Sequence, residues 1–193
     1  MSLILASGSA IRRAMLERAG VPHQVVPADI DEAAFKQRLS EPRMIALELA
    51  RAKAVAVGRR HPRDWVVGSD SVVAVDGRLF DKPADRAQAA EHLRFFSRKT
   101  LTLISAVALA RDGELDWNHA ETARLLVREL SDPFIAGYLD AEWPAVAATV
   151  GVFRLEARGV QLFDAIEGDH FTILGMPLMA LLGALRERGI LPE

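Results

Sequence analysis

Four short stretches of the chain hold side chains whose types and spacing suit chemistry on an anionic substrate. The first is Ser7-Gly8-Ser9-Ala10-Ile11-Arg12-Arg13, which directly follows the apolar run Leu3-Ile4-Leu5-Ala6. Two hydroxyls and a glycine at a strand-to-helix junction leave backbone N–H groups free, and the helix dipole adds partial positive charge, so an anion is favoured there. Arg12 and Arg13 bring planar, multi-donor groups that match phosphate oxygens. Adjacent helical residues point about 100° apart, so the two cannot address one phosphate alike. One is expected to meet phosphate and the other to order a neighbouring carboxylate. The same letters also describe a Ser-capped helix start followed by a solvated Arg pair.

The second stretch is Gly68-Ser69-Asp70-Ser71, after the apolar Trp65-Val66-Val67. If the strand stops here, Asp70 sits at its carboxyl end, where open α/β sheets place their ligands. Such a carboxylate holds Mg²⁺ or activates a water molecule; as a plain turn residue it would cap its own backbone instead. The third is the acidic group Asp29, Asp31 and Glu32, which suits a hard cation or an ordinary acidic surface loop. The fourth is Lys53, inside Ala52-Lys53-Ala54-Val55, together with Lys82 before Pro83. Only four of the 24 basic residues are lysines (Lys36, Lys53, Lys82, Lys99). In a chain that otherwise uses Arg, a retained Lys points to a compact point charge, against the alternative of two snorkelling surface lysines.

The elements that must position these groups follow from the apolar pattern. Leu3 to Ala6 predicts a buried strand, and Ile11, Met15, Leu16 and Ala19 a helix that ends at Gly20. Val25-Val26 predicts a second strand. A helix is expected from about Pro42 to Gly58, with Ser40 as N-cap, and a strand at Trp65 to Gly68 that stops at Ser69-Asp70-Ser71. Asp76-Gly77 between Val72–Val75 and Arg78–Phe80 predicts a two-residue hairpin, followed by a helix from about Ala84 to Phe96. Leu101 to Ala110, Ala123 to Val127 and Val150 to Leu155 read as strands. Ser131-Asp132-Pro133 opens a helix through Tyr138, and Met176 to Arg188 reads as the closing helix. The sum is one α/β domain over residues 1–193, with a twisted mixed β-sheet flanked by helices.

Composition excludes several function classes. Half of the 193 residues are hydrophobic and the net charge is −2, which excludes a disordered chain and argues against a nucleic-acid binder. The absence of cysteine removes disulfides, thiolate catalysis and Cys-ligated metals. His23, His61, His92, His119 and His170 show no metal-ligand spacing and read as surface or core-edge residues. The N-terminus lacks a basic region ahead of its apolar run. The longest uncharged stretch, Phe171 to Leu185, is interrupted by Gly175 and Pro177 and falls short of the ~20 residues that span a bilayer. The expectation is a cytoplasmic protein with no membrane partner.

Taken in order, Leu5-Ala6-Ser7-Gly8-Ser9…Arg12-Arg13, Asp31-Glu32, Glu48-Leu49-Ala50…Lys53-Ala54, Gly68-Ser69-Asp70-Ser71-Val72-Val73 and Lys82-Pro83 resemble the Maf family of nucleoside triphosphate pyrophosphatases, first linked to septum formation. The likeness continues at Phe96-Ser97-Arg98-Lys99, from Thr122 to Ser131, and at Ile166-Glu167-Gly168-Asp169…Leu174-Gly175-Met176-Pro177-Leu178. It implies a Maf/HAM1-like (ITPase-like) fold of two lobes with a central cleft, a divalent cation (Mg²⁺ or Mn²⁺) and a homodimer. It also implies roles: Ser7, Ser9, Arg12 and Arg13 on the triphosphate, and Glu32 and Asp70 as metal-binding and water-activating carboxylates. Lys53 and Lys82 would neutralise phosphate charge. The reaction would yield a nucleoside monophosphate and pyrophosphate.

Three departures from the common family pattern bear on specificity. Ala10-Ile11 replaces the usual single Pro, a spacing similar to the YceF branch that acts on 7-methyl-GTP. In Val152-Phe153-Arg154-Leu155-Glu156 an acid stands where the dTTP/UTP branch carries Gln, and a carboxylate suits the N1–H and N2 amino group of a guanine. Arg98 replaces the usual Gly of a Ser-Gly-Lys turn. The expected substrate is a modified nucleotide of the 7-methyl-GTP kind. The alternatives are dTTP or UTP within the same family, or a nucleotide-sensing regulator of septum formation.

Overall fold

The computed structural model describes residues 2–192. In chain order its elements are β1 (Leu3–Leu5), α1 (Ala10–Arg18), β2 (Gln24–Val25), α2 (Glu32–Arg38), α3 (Pro42–Gly58), β3 (Trp65–Val75) and β4 (Arg78–Phe80). They continue with α4 (Arg86–Phe96), β5 (Thr100–Arg111), β6 (Glu114–Val127), α5 (Asp132–Glu142), β7 (Phe163–Glu167), α6 (His170–Leu174) and α7 (Leu178–Glu187). The strands are hydrogen-bonded in the order β2-β1-β3-β5-β6-β7, with β4 paired to β3. β1 runs parallel to both β2 and β3, while β4 on β3 and β7 on β6 are antiparallel, so the sheet is mixed.

Several elements differ from the sequence expectation. β3 does not stop at Ser69-Asp70-Ser71; it runs through them to Val75, so Asp70 is an interior strand residue and not a turn Asp. β6 begins at Glu114, well before Ala123, because its alternating polar and apolar residues have one solvated face. Val150 to Leu155 is not a strand; the last strand among the described residues is β7, whose residues after Phe163 are all exposed, the apolar Ala165 and Ile166 included. Glu41, not Ser40, caps α3: its carboxylate accepts from the N–H groups of Arg43 and Met44, with Pro42 in the first turn. The closing helix expected over Met176–Arg188 is α7 (Leu178–Glu187), and the short α6 that precedes it, ended by a left-handed Gly175, was not anticipated. Arg98, where the family's glycine would stand, holds φ at +62°.

The chain forms two compact units. The first comprises Met1–Ser71, Ile104–Glu121 and Asp169–Glu193. Its core gathers Leu3, Leu5, Leu16, Val67, Leu109, Met176, Leu181 and Leu185. α3 buries Ile45, Leu49, Ala50, Ala54 and Val57, the helical spacing that the sequence displays.

The second unit comprises Val72–Leu103 and Thr122–Gly168. Its α4 and α5 are tied by the ion pairs Arg86–Asp140 and Arg94–Asp132. His92 is buried on α4, edge-on to Phe80 at a centroid distance of 5.0 Å, and among the described residues its Nδ1 has no hydrogen-bond partner. Burial, helped by Arg78 and opposed by Glu91 and Asp81, holds its imidazole below the ordinary value of 6.5. The unfolded chain therefore takes up a proton first. The contribution to stability is complete above about pH 6.5 and is lost as pH falls below it, by at most about 1.4 kcal/mol per pH unit. Urea unfolding should show this decline, and His92→Phe should remove that share of the slope; an identical slope in the variant would refute the assignment.

Candidate active site

The ion cluster of the first unit is built by the packing of α3 on β3. Residues two apart on a strand share a face, so Gly68 and Asp70 both look toward α3. A Cβ on Gly68 would lie 2.1 Å from the Ala50 carbonyl oxygen and 2.6 Å from the Ala54 nitrogen, so only glycine lets the helix lie this close. That contact brings Lys53, the neighbour of Ala54, onto Asp70. We expect Gly68→Ala to push α3 away, costing about 1–3 kcal/mol as overpacking does, and to separate Lys53 from Asp70. Urea unfolding checks the first effect; unchanged stability would contradict it.

Lys53 and Asp70 are each 8% exposed. The ammonium pairs with Asp70 Oδ1 and lies 2.6 Å from Glu32 Oε1 at the start of α2. Glu32 is only half-buried. The cluster thus holds one cation between two carboxylates, and the guanidinium of Arg12 also feels the charges of both. The other acidic residues go elsewhere: the Asp31 carboxylate caps α2 by accepting from the Ala34 N–H, and Asp29 is exposed.

The Ser7–Arg13 loop splits its two arginines. Arg13 is exposed and donates through Nε to Glu17 Oε1 at 2.7 Å, an i,i+4 surface pair. Arg12 turns inward: Nε donates to the Gly175 carbonyl at 2.9 Å, NH2 to Ser71 Oγ at 3.0 Å and NH1 to Ser7 Oγ at 3.4 Å. Burial pushes this guanidinium below its ordinary value, and the charges of Asp70 and Glu32 oppose that shift. Ser7 is buried and accepts from the Ser9 N–H at 3.2 Å. Ser9 is the N-cap of α1 by position, yet its side chain makes no capping hydrogen bond. The first turn of α1 therefore keeps N–H donors available for an anion.

Lys82 and Glu156 belong to the second unit. Lys82 is exposed on the segment after β4. Glu156 is exposed in a turn whose base is anchored. Arg154 donates through Nε and NH2 to the buried Glu142 at 3.1 and 2.9 Å, a bond that raises its pKa from the ordinary value. Tyr138 OH donates to the carbonyl of Val152 at 3.0 Å, and Val152 is kept at φ +56°.

With this geometry in hand, the family follows from the whole chain. The model of the family described as "Maf-like protein" matches residues 2–188. The chain belongs to the Maf family. Among Maf-like relatives, it is 47% identical to a nucleoside triphosphate pyrophosphatase of Nitrobacter winogradskyi over 98% of this chain and 95% of that one. It is 46% identical to a 7-methyl-GTP pyrophosphatase of Rhizobium etli, over 97% of this chain and 96% of that one. The solved Staphylococcus aureus Ham1 protein superposes with a TM-score of 0.53 at 11% identity, covering 98% of this chain and 100% of that one; the two share an α/β fold.

The Maf-like sequence positions therefore separate into groups. Glu32, Lys53 and Asp70 meet directly, Ser7 and Arg12 meet through a hydrogen bond, and Arg13 faces solvent. Sequence reading did not assign a role to Ser71, Ser105 or Gly175, although Ser71 and Gly175 lie in stretches that carry the family likeness. The signal for Ser71 and Ser105 was a hydroxyl inside a strongly apolar run, which must find partners when buried; Gly175 acts through its backbone carbonyl, which no side-chain pattern marks.

Proposed function

We propose that this protein is a nucleoside triphosphate pyrophosphatase, cleaving the α–β anhydride to a nucleoside monophosphate and pyrophosphate. The observation that carries the reading is the Glu32–Lys53–Asp70 cluster in the same unit as a phosphate-suited loop and an inward Arg12. Support comes from relatives at 46–47% identity that bear pyrophosphatase names. Asp70 accepts the proton of the attacking water as its oxygen bonds to the α-phosphorus, and the bridging bond to the β-phosphate breaks. Lys53 holds Asp70 in place. Arg12, Ser7, Ser9 and the first-turn N–H groups of α1 bind the triphosphate oxygens, on which negative charge is spread in the transition state. Lys82 and Arg13 supply positive charge to the polyphosphate as it enters.

Glu32 and Asp70 fit a divalent cation, Mg²⁺ or Mn²⁺. Both are hard oxygen donors brought to one side chain, the Lys53 ammonium, so their carboxylates lie close together in the same cluster. Among the described residues no group of three or more His, Cys, Asp or Glu side chains forms a cage; Mg²⁺ characteristically takes one or two carboxylates and completes its shell with water and substrate phosphates. When bound, such a cation supplies charge neutralisation at the triphosphate oxygens.

For the base we propose a modified purine of the 7-methyl-GTP kind, read by Glu156 accepting from N1–H and the N2 amino group. A 7-methyl-GTP pyrophosphatase among the relatives supports this choice. Canonical dTTP or UTP is the second reading, supported by the relatives with the broader name. A panel of triphosphates assayed with Mg²⁺ or Mn²⁺ for monophosphate and pyrophosphate tests both, and turnover of none of them overturns the function. Glu156→Gln should lower kcat/KM for 7-methyl-GTP about tenfold or more, because an amide cannot accept both guanine donors. An unchanged substrate ranking would remove Glu156 from base recognition. A cytoplasmic homodimer completes the proposal; among the described residues no helix is long and apolar enough to cross a membrane.

A further inference from the structure

Arg12 is gripped from the far end of the chain. Its Nε donates to the carbonyl of Gly175, 163 residues away, and its NH2 to Ser71 Oγ. The surrounding hydroxyls are Ser69 and Ser105, both fully buried. Ser69 Oγ lies 2.8 Å from the Ala106 carbonyl oxygen and 3.1 Å from that of Gly175. Ser71 Oγ lies 2.8 Å from Ser105 Oγ and 3.1 Å from the Gly175 oxygen, and Ser105 Oγ lies 2.8 Å from the Thr172 carbonyl oxygen.

Proton counting orders these contacts. Each serine has one hydroxyl proton. The shortest contacts are satisfied together when Ser69 donates to Ala106, Ser71 to Ser105 and Ser105 to Thr172. That assignment leaves the Gly175 oxygen to Arg12 Nε, and the lone pairs of Ser71 to Arg12 NH2. Ser105 thus sets the polarity of Ser71, and Ser71 becomes an acceptor facing the guanidinium. Gly175 supplies its carbonyl from φ +112°, and a Cβ there would lie 3.4 Å from Ser71 Oγ and 3.7 Å from Arg12 Nε. Of five guanidinium N–H groups, two are engaged in this way and a third, on NH1, by Ser7 Oγ at 3.4 Å, which leaves two for a ligand.

We propose that Ser71 and Ser105, with the Gly175 carbonyl, are positioning residues that hold Arg12 ready for the substrate's phosphates. The proposal rests on the pyrophosphatase reading for its catalytic consequence, but its geometric core does not. Preorganising a long, flexible side chain removes an ordering cost that binding would otherwise bear. It also accounts for the buried hydroxyls of Ser69 and Ser105 and the partly buried one of Ser71, in a sheet where valine or alanine would pack more cheaply.

The test is a double-mutant cycle with a spectroscopic companion. Ser71→Ala and Ser105→Ala should each fold, and each should lower kcat/KM for the best triphosphate about tenfold. In an Arg12→Ala background the same substitutions should change kcat/KM less than twofold, because there is no guanidinium left to position. In nitrogen-15 spectra the Arg12 Nε–H should exchange slowly in the unsubstituted protein and at least tenfold faster in Ser71→Ala. Equal losses in both backgrounds would make the serines merely structural and overturn the proposal. An Nε–H signal unchanged by Ser71→Ala would overturn it also. If the unsubstituted protein turns over no triphosphate, the function fails while the Nε–H comparison still decides the positioning claim.

Discussion

Asp70→Asn is expected to lower kcat by about 10³-fold while the protein stays folded. The magnitude is that of removing a positioned general base. The asparagine keeps the shape and can still accept from Lys53, so α3 and β3 should remain packed, and circular dichroism should match the unsubstituted protein. What disappears is the carboxylate proposed to take the water proton. Because Asp70 lies inside an eleven-residue strand, with both neighbours hydrogen-bonded, it cannot drift to a compensating position. A variant that retains more than a tenth of the activity would exclude Asp70 as the base.

Lys53→Met carries the second large effect, and it reaches stability as well as rate. Methionine fills much of the same volume on α3, so the packing loss is small. The electrostatic loss is not. Asp70, 8% exposed, loses its ammonium partner and faces Glu32 without a cation between them. Breaking a buried pair from one side costs about 3–5 kcal/mol, since the remaining charge is left uncompensated. Activity should fall by about 10²-fold or more, in line with the loss of one preorganised electrostatic contact. Lys53→Arg should rescue neither property fully, because a planar fork does not replace a point charge held by two carboxylates. Urea unfolding and steady-state kinetics on the two variants check this. Near-native stability of Lys53→Met would show that the pair contributes little.

The contrast between these two residues shows what the sequence could and could not convey. A lysine inside an apolar helical stretch, in a chain that prefers arginine, drew attention to Lys53, and the structure pairs it with Glu32 and Asp70. Asp70 was identified by its chemistry but assigned to the wrong local structure. Gly-Ser-Asp-Ser has the composition of a turn, and only the fold supplies the partners that let it stay in a strand: Ala106 and Gly175 for Ser69, Ser105 and Arg12 for Ser71, Lys53 for Asp70. None of these contacts is local. Arg12 and Arg13 were legible as a pair that must divide its labour, and they do, with Arg13 on Glu17. Which of the two turned inward depended on Gly175, far along the chain. β7 was missed because its exposed residues carry no alternation, whereas Val150 to Leu155 carried apolar letters that serve a buried turn. The apolar faces of β1, α3 and β5 were read directly, since burial alone determines them.

Attack of water on the α-phosphorus of a nucleoside triphosphate at the Asp70 site is tested most directly by hydrolysis in oxygen-18 water, followed by mass spectrometry of the products. One heavy oxygen is expected in the nucleoside monophosphate and none in pyrophosphate. Label in the pyrophosphate, or release of inorganic phosphate with a nucleoside diphosphate, would contradict it.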